Sequence, residues 1–354
     1  MGLTTRVVEL VEPRCLRLTE GPVEDPGPGQ VQVRVQAVGV CGSDMLCYTS
    51  GGVGGVEAIY PQVLGHEPTG LVVKVGPGVS GWAVGNRAAL EPALYCYHCE
   101  FCHAGRHNIC RNLQFHSTGS VPGFLREYLS LPAANLLPLP PEVGFAAGTL
   151  FEPLAVVLHS MKFAAPRPLE TAAVFGAGPI GLLTIALLRL SGAGRIWAAD
   201  PVSQRRELAK TMGADAAIDP HSIDAGHEIL HDTNGRGVDV AIDCATREDS
   251  LDQSIAALCN GGRLVVTGIP FEHRVSLDWH GARRKELVIY NVRRSNHESA
   301  AALQLLAEQP RRFGPLITHV RYLESVQSAF ETVRHYADGV GKMVIALDKQ
   351  SDPR

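Results

Sequence analysis

Apolar and polar residues alternate with period two through VQVRVQAVGV at 31–40, directly after the turn-rich GPVEDPGPGQ, and this predicts a strand entered from a turn. Residues 1–40 read as β throughout. CGSD follows at Cys41–Asp44, then a glycine-rich SGGVGG whose composition opposes a helix. A further strand is expected over 70–75, with His66 and Glu67 just ahead of it and a Gly-Pro-Gly turn behind. The Pro-rich LPAANLLPLPPEV at 131–143 reads as extended. Short strands punctuated by Gly and Pro predict a β-barrel-like domain here.

The texture changes near Phe145. FAAGTLFEPLAVVLHSMKF has helical periodicity, with Glu152 near its start. TAAVFGAGPIGLLTIALLRLSGAGRIWAADP then reads as strand, glycine turn, long apolar helix and second strand, ending at Asp200. Helix-like VSQRRELAKTMG, strand-like AAI and VDVAID, helix-like LDQSIAALC and strand-like RLVVTGI continue the alternation, and ELVIYNV supplies a last strand. That order predicts a parallel sheet covered on both faces, an α/β doubly wound fold. The tail returns to helices, ESAAALQLLAE and LESVQSAFETVRHY, and a final strand, GKMVIAL. No internal repeat or low-complexity tract interrupts the chain.

A length of 354 residues, 45% of them hydrophobic, fits two domains with a large core. The net charge of −4 has both signs scattered, so no basic stripe invites nucleic acid. MGLTTRVVELVEP lacks the apolar stretch of a signal peptide, and no run reaches the ~20 apolar residues of a membrane span. A reduced, cytoplasmic setting is expected.

The nine cysteines sharpen this picture. Cys96, Cys99 and Cys102 recur at every third position and Cys110 follows eight residues later. Such spacing lets a tight loop turn three thiolates to one point and return with the fourth, the closed shell of a structural zinc. Arg106, His107 and Arg111 stand where they could offset the negative charge and donate to sulfur. The opposing reading is a set of unrelated or disulfide-bonded cysteines.

Gly176, Gly178 and Gly181 form GxGxxG between a predicted strand and helix, with Pro179 and Ile180 inside the motif. Glycines there permit a tight turn and close approach to a pyrophosphate, and the helix N-terminus supplies amides to it. Asp200, ending the next strand, is placed to accept the adenosine ribose hydroxyls and to repel a 2′-phosphate, which points to NAD rather than NADP. Arg205 is either stacked beside the adenine or a solvated helix charge.

Cys41, His66, Glu67 and Glu152 are also of zinc-binding type. Each alone is more often structural, and sequence distance does not bring them together. However, GHE-x2-G-x5-G-x2-V from Gly65 through Val79, together with CGSD, the four-cysteine loop, FEPLAV and GAGPIG, resembles the zinc-dependent medium-chain dehydrogenase/reductase family, in order and over nearly the whole chain. CGSD and Glu152 look most like the sorbitol (polyol) dehydrogenase branch, with threonine dehydrogenases close behind.

The resemblance implies a GroES-like catalytic domain, 1–154 with 295–354, and a Rossmann NAD-binding domain, 155–294, with substrate bound between them. It implies two zincs per chain. In the catalytic one Cys41 and His66 would be ligands, and Glu67 and Glu152 would supply the remaining carboxylate, directly or through water. Ser43 would relay the proton as a secondary hydroxyl of a polyol, sugar or sugar derivative gives hydride to NAD. The family often continues the relay through a histidine where this chain has Leu46. Arg294, in YNVRRSN, matches an arginine that polyol dehydrogenases point at substrate, and Phe115 and Thr118 fall near that branch's pocket residues. Neighbouring Arg293, Arg283, Arg284 and Lys285 read as solvated charges. Edge-to-edge pairing of Rossmann sheets, through ELVIYNV, would give a homodimer or homotetramer. Oxidation of an amino-acid alcohol such as threonine is the nearest alternative. A non-catalytic dinucleotide sensor is the other, and one zinc per chain instead of two would distinguish it.

Overall fold

The computed structural model describes residues 4–247, 249–270, 272 and 274–348. The chain divides into two units, Met1–Glu152 with Ser299–Pro310 and Ile317–Arg354, and Pro153–Glu298 with Arg311–Leu316. Residues 1–3 and 349–354 of the expected catalytic domain lie outside the described residues.

In the first unit, β1 (Thr4–Glu12) and β2 (Cys15–Pro22) form an antiparallel hairpin, joined at Leu10 and Glu9 by Gln62–Val63. The larger sheet is built on β3 (Gln30–Gly39). Its partners are β4 (Glu67–Val75), β5 (Arg87–Leu90), β6 (Tyr128–Pro132), β7 (Leu136–Pro138), and from the chain's end β14 (Ile317–Tyr322) and β15 (Lys342–Ala346). The order is β7–β5–β4–β3–β15–β14, with β6 also on β3.

The period-two pattern of β3 suggested one wet face, but Gln32 and Gln36 are both buried. Gln32 Nε2 donates to the Glu24 carbonyl at 2.9 Å, so a loop rather than water satisfies it. The core combines Val31, Val33, Val35 and Val38 with Leu64, Val72, Phe124 and Phe330. Phe330 belongs to the tail helix α8 (Val326–Arg334).

Two elements differ from the sequence expectation. Strand β4 begins at Glu67 rather than at 70, because Glu67 pairs in register with Gly39 of β3. A helix, α1 (Gly42–Ser50), follows Cys41, where only the motif and then a loop were expected. It ends at Gly51 in the left-handed region, φ 73°, where the SGGVGG loop does begin.

The second unit opens on α2 (Phe151–Ala164), whose first two residues close the first unit. Then come β8 (Ala172–Phe175), α3 (Pro179–Leu190), β9 (Ile196–Ala199), α4 (Ser203–Met212), β10 (Ala216–Ile218), α5 (Ala225–Asp232), β11 (Val238–Asp243), α6 (Ser250–Ala257), β12 (Leu258–Val266), α7 (Trp279–Arg284) and β13 (Val288–Asn291). All six strands are parallel in the order β10–β9–β8–β11–β12–β13. The order reverses at β8, so β8 and β11 flank the switch point where ligands of doubly wound sheets bind. Helix α3 is apolar all round and buried from Gly181 to Leu188, with Pro179 at its start. Lys285 corrects one expectation. It is not a solvated charge, because its Nζ donates to the carbonyls of Ile255, Ala256 and Leu258 at 2.7–2.8 Å and closes the end of α6.

Two candidate metal centres and a dinucleotide site

The cysteine loop folds as the spacing requires. The four sulfurs of Cys96, Cys99, Cys102 and Cys110 all lie within 4.8 Å of one another. The short helix Glu100–His103 carries Cys102, and a single 3-10 turn at His107–Ile109 brings Cys110 back. Backbone amides donate to the sulfurs of Cys96 and Cys99. The N–H groups of His98 and Arg111 hold the Cys96 and Cys99 thiols below their usual values, whereas burial pushes Cys102 up. The guanidinium of Arg111 turns away to Glu100, and His107 packs on Tyr95 and Tyr97. The charge-offsetting role expected of Arg111's side chain is thus taken by its main chain.

The second centre grows from the N-terminus of α1. Cys41 is the N-cap residue, and the Asp44 carboxylate three positions on accepts the Cys41 N–H at 3.0 Å. The other Asp44 oxygen accepts from Gly65 N at 3.1 Å and Ser117 Oγ at 2.9 Å, and lies 3.3 Å from His66 Nδ1. Burial opposes ionisation of Asp44, but His66 together with the backbone N–H groups of Cys41 and Gly65 outweighs it and holds the carboxyl below its usual value. With Nδ1 held by Asp44, His66 presents Nε2, the arrangement of a metal-ligating imidazole. Its neighbours are Cys41 and Ser43, whose hydroxyl lies 3.3 Å from both Cys41 Sγ and His66 Nε2.

Ligand atoms of Cys41, His66 and Glu67 all lie within 4.8 Å of one another. A half-buried thiol, an oriented imidazole and a carboxylate in that space fit zinc. Glu67 has a partner that sequence reasoning missed, Lys342 on β15, and both side chains are buried. Burial would strip Lys342 of its proton, but Glu67 and Cys41 outweigh that and raise it. Gly39 makes the pair possible, since a Cβ there would run into Glu67 Oε2 and Lys342 Cε.

Glu152 is buried beside this trio but outside it. Burial lifts its carboxyl to about 7, with Glu67 and Glu91 adding to the rise and His66 and Lys342 opposing it. Phe115 lies against His66, ring centroids 5.4 Å apart. Thr118 is in the turn behind it, its N–H donating to the Phe115 carbonyl. Asp44, Ser117 and Lys342 were not singled out from sequence. A capping-type Asp three residues after Cys41, and a lone Lys in the apolar GKMVIAL, are the signals that could have found the first and last.

The dinucleotide motif is in the second unit. Gly176, φ 90°, follows β8 with no room for a side chain, since a Cβ would meet Ala245 at 3.0 Å. Gly178 caps α3, Pro179 and Ile180 are partly exposed at its first turn, and Gly181 is buried. Asp200 directly follows the adjacent strand, β9. Its Oδ2 accepts the Ala177 N–H at 2.7 Å and its Oδ1 accepts from Val202 N at 2.8 Å. The carboxylate therefore grips the glycine turn itself, and each oxygen keeps a lone pair for a ligand hydroxyl. Arg205 has Nη1 3.9 Å from Asp200 Oδ2 and near the space above Gly178, so it is a neighbour of the motif rather than a solvated charge. Arg294 follows β13 in a left-handed conformation, φ 53°. A cavity of about 870 Å³ opens at the ends of β11, β12 and β13, with Thr246, Gly268, Ile269 and Val292 on its wall. Among the described residues no helix is long and apolar enough to cross a membrane.

The chain is similar to known dehydrogenases over most of its length. Residues 27–141 match the alcohol dehydrogenase GroES-like domain, and residues 179–308 match the zinc-binding dehydrogenase model. The chain is 33% identical to a sorbitol dehydrogenase of Bacillus subtilis over 332 residues, 94% of each chain. It is also 33% identical to an L-threonine 3-dehydrogenase of Pyrococcus abyssi over 334 residues, 93% of this chain and 94% of that one. Among solved structures, a zinc-binding dehydrogenase of Sinorhizobium meliloti bound to NADP superposes with a TM-score of 0.89 at 28% identity, covering 98% of this chain and all of that one.

Proposed function

Because the chain belongs to the zinc-dependent medium-chain dehydrogenase/reductase family, we propose that it oxidises a secondary hydroxyl of a polyol, sugar or sugar derivative, with NAD as hydride acceptor. The observation that carries this reading is the convergence of Cys41, His66 and Glu67, with Glu152 buried beside them. Cys41, His66 and one carboxylate, from Glu67 or Glu152, would hold the catalytic zinc, and the four-cysteine loop would hold a structural one. Zinc bound there supplies Lewis acidity toward a substrate hydroxyl, and a nicotinamide supplies the hydride acceptor.

The chain's own residues do the rest. Asp44 fixes the tautomer of His66, and Ser43 Oγ, 3.3 Å from Cys41 Sγ, is placed to take the substrate proton. Lys342 neutralises Glu67, so a carboxylate can sit beside the metal without making the site strongly anionic. Asp200 favours NAD over NADP because a 2′-phosphate would meet its charge. Phe115, Thr118 and Arg294 are assigned to substrate.

The polyol reading follows Glu152 and the sorbitol dehydrogenase relative. The threonine dehydrogenase relative, equally identical, supports oxidation of an amino-acid alcohol as a second reading. A panel of polyols, sugar phosphates and threonine, followed by NADH formation, separates them. Turnover of polyols above threonine supports the first reading, and the reverse order replaces it. Strand β13, outermost in its sheet with Val288 exposed, suits pairing with a second copy, so a homodimer or homotetramer is proposed. Light scattering that gives a monomer would contradict this. A reducing, cytoplasmic setting suits the unpaired cysteines.

A further inference from the structure

Asp243, the last residue of β11, is a fully buried carboxylate outside both metal centres. One oxygen, Oδ1, collects three donors: Ala245 N at 3.1 Å, Thr246 N at 2.6 Å and Thr246 Oγ1 at 2.9 Å. These bonds bend 244–246 into a tight turn in which Thr246, a β-branched residue, sits at φ 45°. A threonine adopts that conformation only where its surroundings over-determine it.

The position of this turn gives it a purpose. Asp243 is in register with Phe175 of β8 on one side and Val266 of β12 on the other. Cys244 N donates to the Phe175 carbonyl at 2.8 Å, and Thr267 N and Gly268 N donate to the Asp243 carbonyl at 2.8 and 3.0 Å. The backbone of Ala245 lies directly on Gly176, and Thr246 Oγ1 fills the place where a Gly268 side chain would stand. The glycine turn of the dinucleotide motif is thus held from two sides. Asp200, just past β9, grips Ala177 directly. The 244–246 turn backs Gly176 from β11.

We propose that Asp243 is a positioning residue for the dinucleotide site, acting through the 244–246 turn as a wedge that sets the conformation of the glycine turn between Gly176 and Gly181. It does not touch the cofactor. Its role is to keep the pyrophosphate-facing amides in place before a ligand arrives, which lowers the cost of binding. The shape of the carboxylate matters here more than its charge. Burial pushes the Asp243 carboxyl up, toward its neutral form. An Asn side chain can offer the same oxygen to the same three donors.

The test is titration with NADH, read by its fluorescence, on D243A, D243N and T246A, with melting temperature and zinc content measured on each. D243A should bind NADH about tenfold more weakly or worse, T246A about threefold more weakly, and D243N should recover to within about threefold of the starting affinity. Zinc content should not change, since the candidate ligands are in the other unit. A folded D243A with undiminished affinity overturns the proposal. So does D243N as weak as D243A, which would make charge rather than turn geometry the cause. If D243A does not fold, T246A decides, and unchanged affinity there overturns it. The inference rests on reading the glycine turn as the nicotinamide-cofactor site. Failure of the unsubstituted protein to bind NADH or NADPH would sink that reading, whereas normal binding with insensitive variants sinks only this one.

Discussion

Lys342 Nζ lies against Glu67 Oε2, with the two side chains 1% and 0% exposed, and Gly39 leaves the space they share. A buried charge pair is not by itself a source of stability, but removing one partner strands the other in a medium that solvates it poorly. K342M should therefore cost about 3–5 kcal/mol in urea unfolding. The double variant E67Q/K342M should recover much of that loss. A K342M protein within about 1 kcal/mol of the parent would mean that water or a metal already compensates Glu67.

Asp200 does two jobs in the geometry, and they separate on substitution. D200A loses the acceptor for Ala177 N–H and the charge that opposes a 2′-phosphate. Binding of NAD should weaken by about tenfold or more, while NADP binding changes less, because loss of the turn contact and relief of repulsion act in opposite directions. The measurement is the ratio of the two dissociation constants. A ratio that does not move removes Asp200 from cofactor selection.

Glu152 lies outside the Cys41, His66 and Glu67 trio yet feels its charges. E152Q keeps the size and removes the charge, and should abolish turnover with NADH binding almost intact, since the glycine turn and Asp200 belong to the other unit. Loss of one zinc together with activity would mark direct ligation. Loss of activity with both zincs kept would mark a role in placing water. Normal kcat would take Glu152 out of the site, and the polyol reading would lose its main residue-level support.

Much of this was legible in the sequence because it is local. The βαβ alternation, the GxGxxG turn and the cysteine spacing are each set within a few residues, and they fold as their spacing demands. What stayed hidden depends on pairing between distant segments. Lys342 meets Glu67 only because β3 lies between β4 and β15 in the sheet. Asp44 looked like part of a motif, but its contacts to Gly65, His66 and Ser117 arise from separate stretches of chain. Gln32 and Gln36 look solvent-facing in a period-two strand and are buried because neighbouring loops and strands cover both faces of β3.

Asp239 contributes a pH dependence to the stability of the second unit. Its carboxylate accepts from Thr171 N at 2.8 Å, Thr171 Oγ1 at 2.9 Å and Arg236 Nη2 at 2.5 Å. Burial opposes the charge, but Arg236 and Thr171 outweigh it and lower the folded pKa. A depressed carboxyl contributes stability above its unfolded value of about 4, and that contribution is lost as pH falls through the folded value. D239N should therefore be less stable than the parent by about 1–2 kcal/mol near pH 7. The gap should close as the pH is taken below about 4. A gap independent of pH would show that ionisation of Asp239 is not what holds Thr171.

The catalytic metal centre is tested most sharply by a zinc count made alongside NADH formation from a polyol, on the unsubstituted chain, C41S and C96S. Two zincs per chain and turnover are expected of the first. C41S should keep one zinc, lose turnover and bind NADH as before. C96S should also keep one zinc, with a melting temperature lowered by several degrees, because a closed thiolate shell contributes its binding free energy to folding. A C41S protein that retains both zincs and full turnover would contradict the assignment of Cys41, His66 and Glu67 as the catalytic metal centre.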